Sequence, residues 1–272
     1  MTPDDLLAHD DSGQPWPAAA PAFADAAAAY RVALAARALR LARGERPVGF
    51  KIGFTNRAIW SRYQVFAPIW GTVWNTTVSY CEGDGLLRIG RTCQPRIEPE
   101  CVIGLRAAPA ADTDLRGLFE AIDWVAPGFE IVQSHRPDWK FAAPDTMADN
   151  GLHARLLVGA RRPVRDLAGD AITLQALLAA ATVTLHRADG PADADRAVAP
   201  VDSGRGANVL DDPLQALLHF VRELRACPGA PDLRAGDLIT TGTWTDAWPV
   251  QAGERWQARF STPLSALSVR FA

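Results

Sequence analysis

Arg96-Ile97-Glu98-Pro99-Glu100-Cys101-Val102-Ile103-Gly104-Leu105 is an apolar run opened by two carboxylates. Read as a β-strand, it points residues two apart to the same face, so Glu98 and Glu100 converge on one spot. Two bare anions on a half-buried surface repel each other and resist desolvation, so a positive partner is expected between them. A hard divalent cation such as Mg²⁺, Mn²⁺ or Ca²⁺ meets that need through oxygen ligands. Further along, Gly128-Phe129-Glu130-Ile131-Val132 places a third lone acid inside an apolar run. Glu98, Glu100 and Glu130 are therefore a candidate metal set. The same spacing also fits strand glutamates that face solvent or pair with an arginine, and Arg96 stands close by; spacing alone does not separate the two.

The basic residues add a second signal. The chain has 28 of them, and only Lys51 and Lys140 are lysine. A solvated surface lysine exchanges freely with arginine, whereas a site that needs a compact ammonium, or a proton that moves, does not tolerate the exchange. Lys51 lies in the alternating run Val48-Gly49-Phe50-Lys51-Ile52-Gly53-Phe54, and Lys140 follows Asp138-Trp139. Lys51 is the stronger candidate for a catalytic role.

Bulk composition narrows the function classes. With 272 residues, 48% of them hydrophobic, the chain can bury a substantial core. A net charge of −3 without a basic stripe argues against a nucleic-acid partner. No hydrophobic stretch reaches the roughly 18–20 residues that span a bilayer, and the acidic start Met1-Thr2-Pro3-Asp4-Asp5 is unlike a secretory signal. Four cysteines without a CxxC pair fit reduced thiols in a cytoplasmic protein.

Along the chain, Leu6-Leu7 starts a short helix ended by Gly13, and Asp25 to Arg43 predicts a longer one. From Gly49 the pattern turns mostly to β, interrupted by a possible helix at Ala58–Tyr63 and by one capped at Asp114. Asp212-Pro213 opens the clearest helix, with Leu214, Leu217, Leu218, Val221 and Leu224 on one stripe that reads as core. The last third reads as antiparallel β, with a turn at Asp189-Gly190 and a loose segment at Ala192–Pro200. The expected class is α+β, with an α-rich N-terminal region (1–75) leading into a β-rich body (76–272).

Several motifs occur together in one order: Gly49-Phe50-Lys51-Ile52-Gly53-Phe54-Thr55, Gln94-Pro95-Arg96-Ile97-Glu98-Pro99-Glu100, Glu130-Ile131-Val132-Gln133-Ser134 and Asp145-Thr146-Met147-Ala148-Asp149-Asn150. Ser203-Gly204-Arg205-Gly206, Pro213-Leu214 and Ala235-Gly236-Asp237-Leu238-Ile239 with Thr241-Gly242 follow. This ordered set, spanning roughly residues 25 to 271, resembles the 2-oxopent-4-enoate hydratases and the related 4-oxalocrotonate decarboxylases of the fumarylacetoacetate hydrolase superfamily. The resemblance implies a bent mixed β-roll covered by an α-containing N-terminal part, and Mg²⁺ or Mn²⁺ held by Glu98, Glu100 and Glu130. It also implies an active-site lysine at Lys51 and a homo-oligomer.

A 2-oxo acid presents a carboxylate oxygen and a keto oxygen to one such ion, which stabilises the dienolate formed on proton or CO₂ loss. Lys51 is then expected to bind the substrate carboxylate or to carry the proton. Arg205 is a candidate second anion contact, and Asp138, Asp145, Asp149 and Asn150 are candidates for hydrogen bonds to the metal shell. One departure stands out. Hydratases of this group carry an acid in a Pro-Asp-x-Gly sequence, where this chain has Pro68-Ile69-Trp70-Gly71. Ile69 and Trp70 thus predict an apolar pocket wall, and His135 is a candidate replacement acid or base. The leading expectation is a hydratase of a 2-hydroxy-2,4-dienoate acting in aromatic-compound degradation. Decarboxylation of a vinylogous 2-oxo diacid is the alternative, followed by acylpyruvate hydrolysis or tautomerisation. A non-catalytic partner subunit is the reading of another class, with a cleft blocked by Trp70 as its mark.

Overall fold

The computed structural model describes residues 1–188 and 199–272; the turn at Asp189-Gly190 and most of Ala192–Pro200 lie outside them. Helices α1 (Pro3–Ser12) and α2 (Ala26–Ala42) form where the sequence predicts them. Thr2 and Asp25 accept from backbone N–H groups of the respective first turns, and Gly13 ends α1 in the left-handed region. Strand β1 (Pro47–Gly53) follows, then a short helical turn into α3 (Trp60–Tyr63), strands β2 (Ile69–Trp74), β3 (Val78–Tyr80) and β4 (Asp84–Leu87), and the long strand β5 (Arg96–Leu105). Next come α4 (Leu115–Ala121), β6 (Ile122–Val132), α5 (Ala143–Ala148), β7 (His153–Val158), β8 (Arg162–Pro163), α6 (Ala171–Ala180), β9 (Thr182–Ala188) and β10 (Asp202–Arg205). The chain closes with α7 (Pro213–Ala226), β11 (Leu238–Thr243), β12 (Trp248–Pro249), β13 (Arg255–Phe260) and β14 (Leu267–Phe271).

Two sheets carry the architecture. The larger runs β2-β1-β11-β5-β6-β7-β3, with β12 also on β5 and β8 on β6; the smaller runs β10-β9-β13-β14-β4. Both are mixed. β11 pairs in parallel with β1, and β14 with β4, so the purely antiparallel C-terminal third expected from the sequence is corrected. Parallel neighbours need a long crossover, and alternation within one strand says nothing about a partner almost two hundred residues away. α6, capped by Asp170, was not expected either; its run Ala171-Ile172-Thr173-Leu174-Gln175-Ala176-Leu177-Leu178 shows little amphipathic contrast. The main core lies between the sheets and α7, around Phe50, Phe129, Phe220 and Trp256.

The first 75 residues do two things. Leu6 of α1, Ala29 of α2 and Trp16 from the segment between them pack with Ala148 of α5 as a separate small apolar cluster. β1 and β2 are built into the larger sheet beside β11.

Candidate active site

The site is assembled by register. Antiparallel pairing of β5 with β6 sets Glu98 directly opposite Glu130. Parallel pairing of β1 with β11 sets Lys51 opposite Thr240, and β11 lies between β1 and β5. One carboxylate oxygen from each of Glu98, Glu100 and Glu130 lies within 4.8 Å of the others. Glu100 and Glu130 are fully buried, while Glu98 opens on a cleft of about 470 Å³. Lys51, Phe54, Tyr63, Ile69, Arg96, Trp139, Phe141 and Trp248 also line that cleft.

Each acid is held differently. The Lys51 ammonium sits 3.2 Å from Glu130 Oε2, and Thr240 donates to the same oxygen at 3.3 Å. The other oxygen of Glu130 lies 2.9 Å from His153 Nδ1, and the far nitrogen of that ring lies 2.8 Å from Thr77 Oγ1. An ionised carboxylate only accepts, so Nδ1 carries the proton and Nε2 accepts from the threonine. Gly242 donates its N–H to Glu100 Oε2 at 2.7 Å, whereas Glu100 Oε1 is buried without a partner among the described residues. Gly242 occupies a left-handed φ of 98° where the β11–β5 register shifts, and a Cβ there would lie 2.0 Å from Thr55 Oγ1. Only glycine brings that N–H to the acid.

Charge follows from this packing. Burial, and then repulsion between the acids, holds Glu100 well above the ordinary carboxylate range; burial with Glu130 raises Glu98 against the pull of Lys51. Burial works the same way on Glu130, but Lys51 and His153 outweigh it and hold that carboxyl below its usual value. Lys51, although buried, is raised because three carboxylates face it. Burial lowers His153 and keeps it neutral. Three acids against one ammonium, with an orphaned oxygen on Glu100, form a donor set suited to a hard divalent cation.

Other expected residues fall elsewhere. Ile69 lines the cleft, where a Cβ on Gly53 would meet it at 3.0 Å. Trp70, one residue on, takes the opposite face of β2 and stacks on Tyr30 at 4.5 Å, so it neither lines nor blocks the cleft. His135 does not line this cleft. β6 ends at Val132, and the chain then turns beneath the N-terminal segment, where His135 is buried, stacks on Trp16 and pairs with Asp149 at 2.6 Å. Arg205 ends β10 of the smaller sheet, exposed and not among the residues that line this cleft. Lys140 is exposed and pairs with Asp138 at 3.4 Å. Asp145 and Asp149 serve Arg136 and His135. Asn150 bonds both backbone groups of Thr72, pinning β2, and Gly151 packs on the Lys51 stem.

His153 was missed. It stands in His153-Ala154-Arg155-Leu156-Leu157-Val158, a run that gives no sign that its first residue reaches a glutamate on the neighbouring strand.

No protein-family model matches the chain. Among curated proteins it is 33% identical over 216 residues to a 4-oxalocrotonate decarboxylase from a Pseudomonas species, covering 79% of this chain and 75% of that one. It is 31% identical over 236 residues to a 2-hydroxyhexa-2,4-dienoate hydratase from Comamonas testosteroni, covering 84% and 80%. Among solved structures, 4-oxalocrotonate decarboxylase from Pseudomonas putida G7, complexed with magnesium and adipate, superposes with a TM-score of 0.82. That superposition covers 100% of this chain and 99% of that one at 24% identity.

Proposed function

The chain belongs to the 2-oxopent-4-enoate hydratase and 4-oxalocrotonate decarboxylase family of the fumarylacetoacetate hydrolase superfamily, and from this we propose that it is a divalent-metal-dependent lyase. Its reaction is addition of water to a 2-hydroxy-2,4-dienoate, in the 2-oxo-4-enoate form, giving a 4-hydroxy-2-oxo acid during degradation of aromatic compounds. The observation that carries this reading is the convergence of Glu98, Glu100 and Glu130 within 4.8 Å, with Lys51 beside them at a cleft.

In this reading the three glutamates hold Mg²⁺ or Mn²⁺. When bound, the ion supplies Lewis acidity that stabilises negative charge on the keto oxygen of a 2-oxo acid. Lys51 holds a proton at Nζ beside that position and exchanges it with the substrate during keto–enol conversion. Glu130 fixes the direction of the ammonium, and His153 with Thr240 fixes Glu130. Phe54 and Ile69 wall the site against bulk water. A second reading, decarboxylation of a vinylogous 2-oxo diacid, draws on Ile69: an apolar residue lines the cleft where hydratases of this group carry an acid, and CO₂ loss needs no group to position water. Further, we read the two sheets as the bent β-roll, residues 1–75 as its cover and 76–272 as the catalytic body, and the protein as a cytoplasmic homo-oligomer.

The test is incubation with Mg²⁺ and a panel of 2-hydroxydienoates and oxo-diacids. Loss of the dienol absorbance with a product heavier by one water supports hydration, and CO₂ release supports the second reading. Glu98→Gln is expected to abolish turnover, and undiminished activity would remove the metal role. Lys51→Arg is expected to cut turnover sharply, because guanidinium does not readily release a proton; a near-normal rate leaves Lys51 as scaffold.

A further inference from the structure

β2 is the last strand of the larger sheet, so the outward N–H and carbonyl of Thr72 meet no neighbouring strand. The side chain of Asn150 takes both. Its Oδ1 accepts the Thr72 N–H at 2.7 Å, and its Nδ2 donates to the Thr72 carbonyl at 3.0 Å. A primary amide carries donor and acceptor at one tip, and so stands in for one residue of a further strand. The contact extends to the backbone, since a Cβ on Gly71 would lie 1.9 Å from the Asn150 carbonyl oxygen. Gly71 is the residue opposite Lys51 in the β1–β2 pairing.

The turn that Asn150 opens is left-handed at three successive residues. Asn150, Gly151 and Leu152 have φ values of 51°, 64° and 67°, a region that asparagine tolerates and leucine seldom enters. Such backbone persists only where its surroundings hold it, and here they do. Leu152 donates its N–H to the Asp149 carbonyl and accepts from the Gln133 N–H, both at 2.8 Å, and the Asp149 carboxylate accepts the His135 N–H at 2.9 Å. The turn presents Gly151 to Lys51, where a Cβ would lie 2.9 Å from Lys51 Cδ. Lys51, Gly151 and Leu152 line the cleft, whereas Asn150 does not.

We infer that Asn150 is a positioning residue for Lys51: by clipping this turn to β2 it holds Gly151 on the lysine stem and fixes where the ammonium stands. A lysine stem is flexible along its four carbons, and the head of Lys51 is held by Glu130 at 3.2 Å. A divalent cation on Glu130 competes with the ammonium for that carboxylate, and the contact at Cδ then carries more of the aim. The bearing on rate rests on the proposed proton exchange at Nζ; the placement of Lys51 does not.

The experiment uses the two lysines of the chain, Lys51 and Lys140. Protein labelled with ¹³C at lysine Cε gives one methylene signal for each, and the exposed Lys140 is the internal control. In the Mg²⁺-loaded wild type the two ε-protons of Lys51 are expected at separate shifts, the mark of one held rotamer. Asn150→Ala is expected to merge them and leave Lys140 unchanged, and Asn150→Asp, which keeps an acceptor for the Thr72 N–H, to retain part of the separation. Gly151→Ala keeps the amide clip and drives a Cβ at the stem, so it should shift the Lys51 signals where Asn150→Ala does not fold; melting temperatures report folding. Merged Lys51 signals in the wild type, or unchanged ones in the folded variants, overturn the inference. Under the proposed reaction, deuterium exchange at C3 of 2-oxopentanoate by the Mg²⁺-loaded protein should fall in Asn150→Ala by up to about 100-fold in kcat, the cost of a misplacement of about 1 Å, with KM nearly unchanged. A loss carried by KM instead overturns the positioning role. No exchange in the wild type sinks the 2-oxo acid reading, and the Lys51 signals alone then decide the placement.

Discussion

Glu100 shows at the scale of a single residue what the site asks of the fold. One of its oxygens takes the Gly242 N–H and the other is buried with no partner among the described residues. Without a cation, burial and the neighbouring acids raise its pKa, so its ionised form works against folding at neutral pH. Glu100→Gln is therefore expected to raise the melting temperature in EDTA, by about 2–4 °C for each kcal/mol relieved, and to lose the increase that Mg²⁺ gives the wild type. Thermal denaturation with and without Mg²⁺ reads both effects, and an unchanged Mg²⁺ response means that Glu100 is not a ligand. His153 acts through Glu130. Removing such a partner typically costs about 10- to 100-fold in metal affinity or activity. His153→Ala should show that loss in a Mg²⁺ titration, and wild-type Mg²⁺ affinity in that variant removes the positioning role.

Strand registers, more than the strands themselves, make the cluster. β5 alone offers Glu98 and Glu100; β6 brings Glu130 opposite Glu98, and β11 brings Thr240 and the Gly242 N–H. The bend at Gly242 is the sensitive point. Gly242→Ala forces a Cβ onto Thr55 at a positive φ, so it is expected to destabilise the fold by more than about 1 kcal/mol. It should also weaken Mg²⁺ binding by displacing the N–H from Glu100. Urea unfolding and a Mg²⁺ titration of that variant check the two effects. At this same scale, alternation separates Ile69 from Trp70: the sequence placed both on one wall, whereas neighbours on a strand take opposite faces.

Across the whole molecule, the N-terminal helices are tied to the sheet body by charge as well as packing. Arg40 bridges Asp10 at 2.8 Å and Glu45 at 2.6 Å, Arg43 pairs with Glu45, and Gln133 of the body donates to Asp10 at 2.9 Å. Burial acts to raise Glu45, but hydrogen bonds from Arg40 and Thr76 overcome it and bring the carboxyl down to about 2. A carboxylate depressed in the folded state adds stability that is present above its ordinary value near 4.5 and lost as pH falls towards 2. Hydrogen exchange across α1 and α2 should therefore rise relative to β5 and β6 between pH 5 and 3, the end of that window open to the measurement. Glu45→Gln should remove most of that pH step. Identical acid response in the two proteins would rule out Glu45 as the source. For the assembly, light scattering on the eluting protein tests the homo-oligomer; a monomer mass rejects it.

The sequence by itself determined which residues were chemically out of place. A lone glutamate in an apolar run, a lysine left among arginines, and acids before helical stripes are local features, and local periodicity reads them. It therefore gave the α+β class, the helices α1, α2 and α7, the three acids and Lys51. Only the tertiary structure decided who meets whom: His153 on Glu130, Gly151 on Lys51, and a cleft lined by neither His135 nor Arg205. Those meetings depend on pairing between strands far apart in the chain and on the turns that aim them, and one residue of register reverses every side chain on a strand.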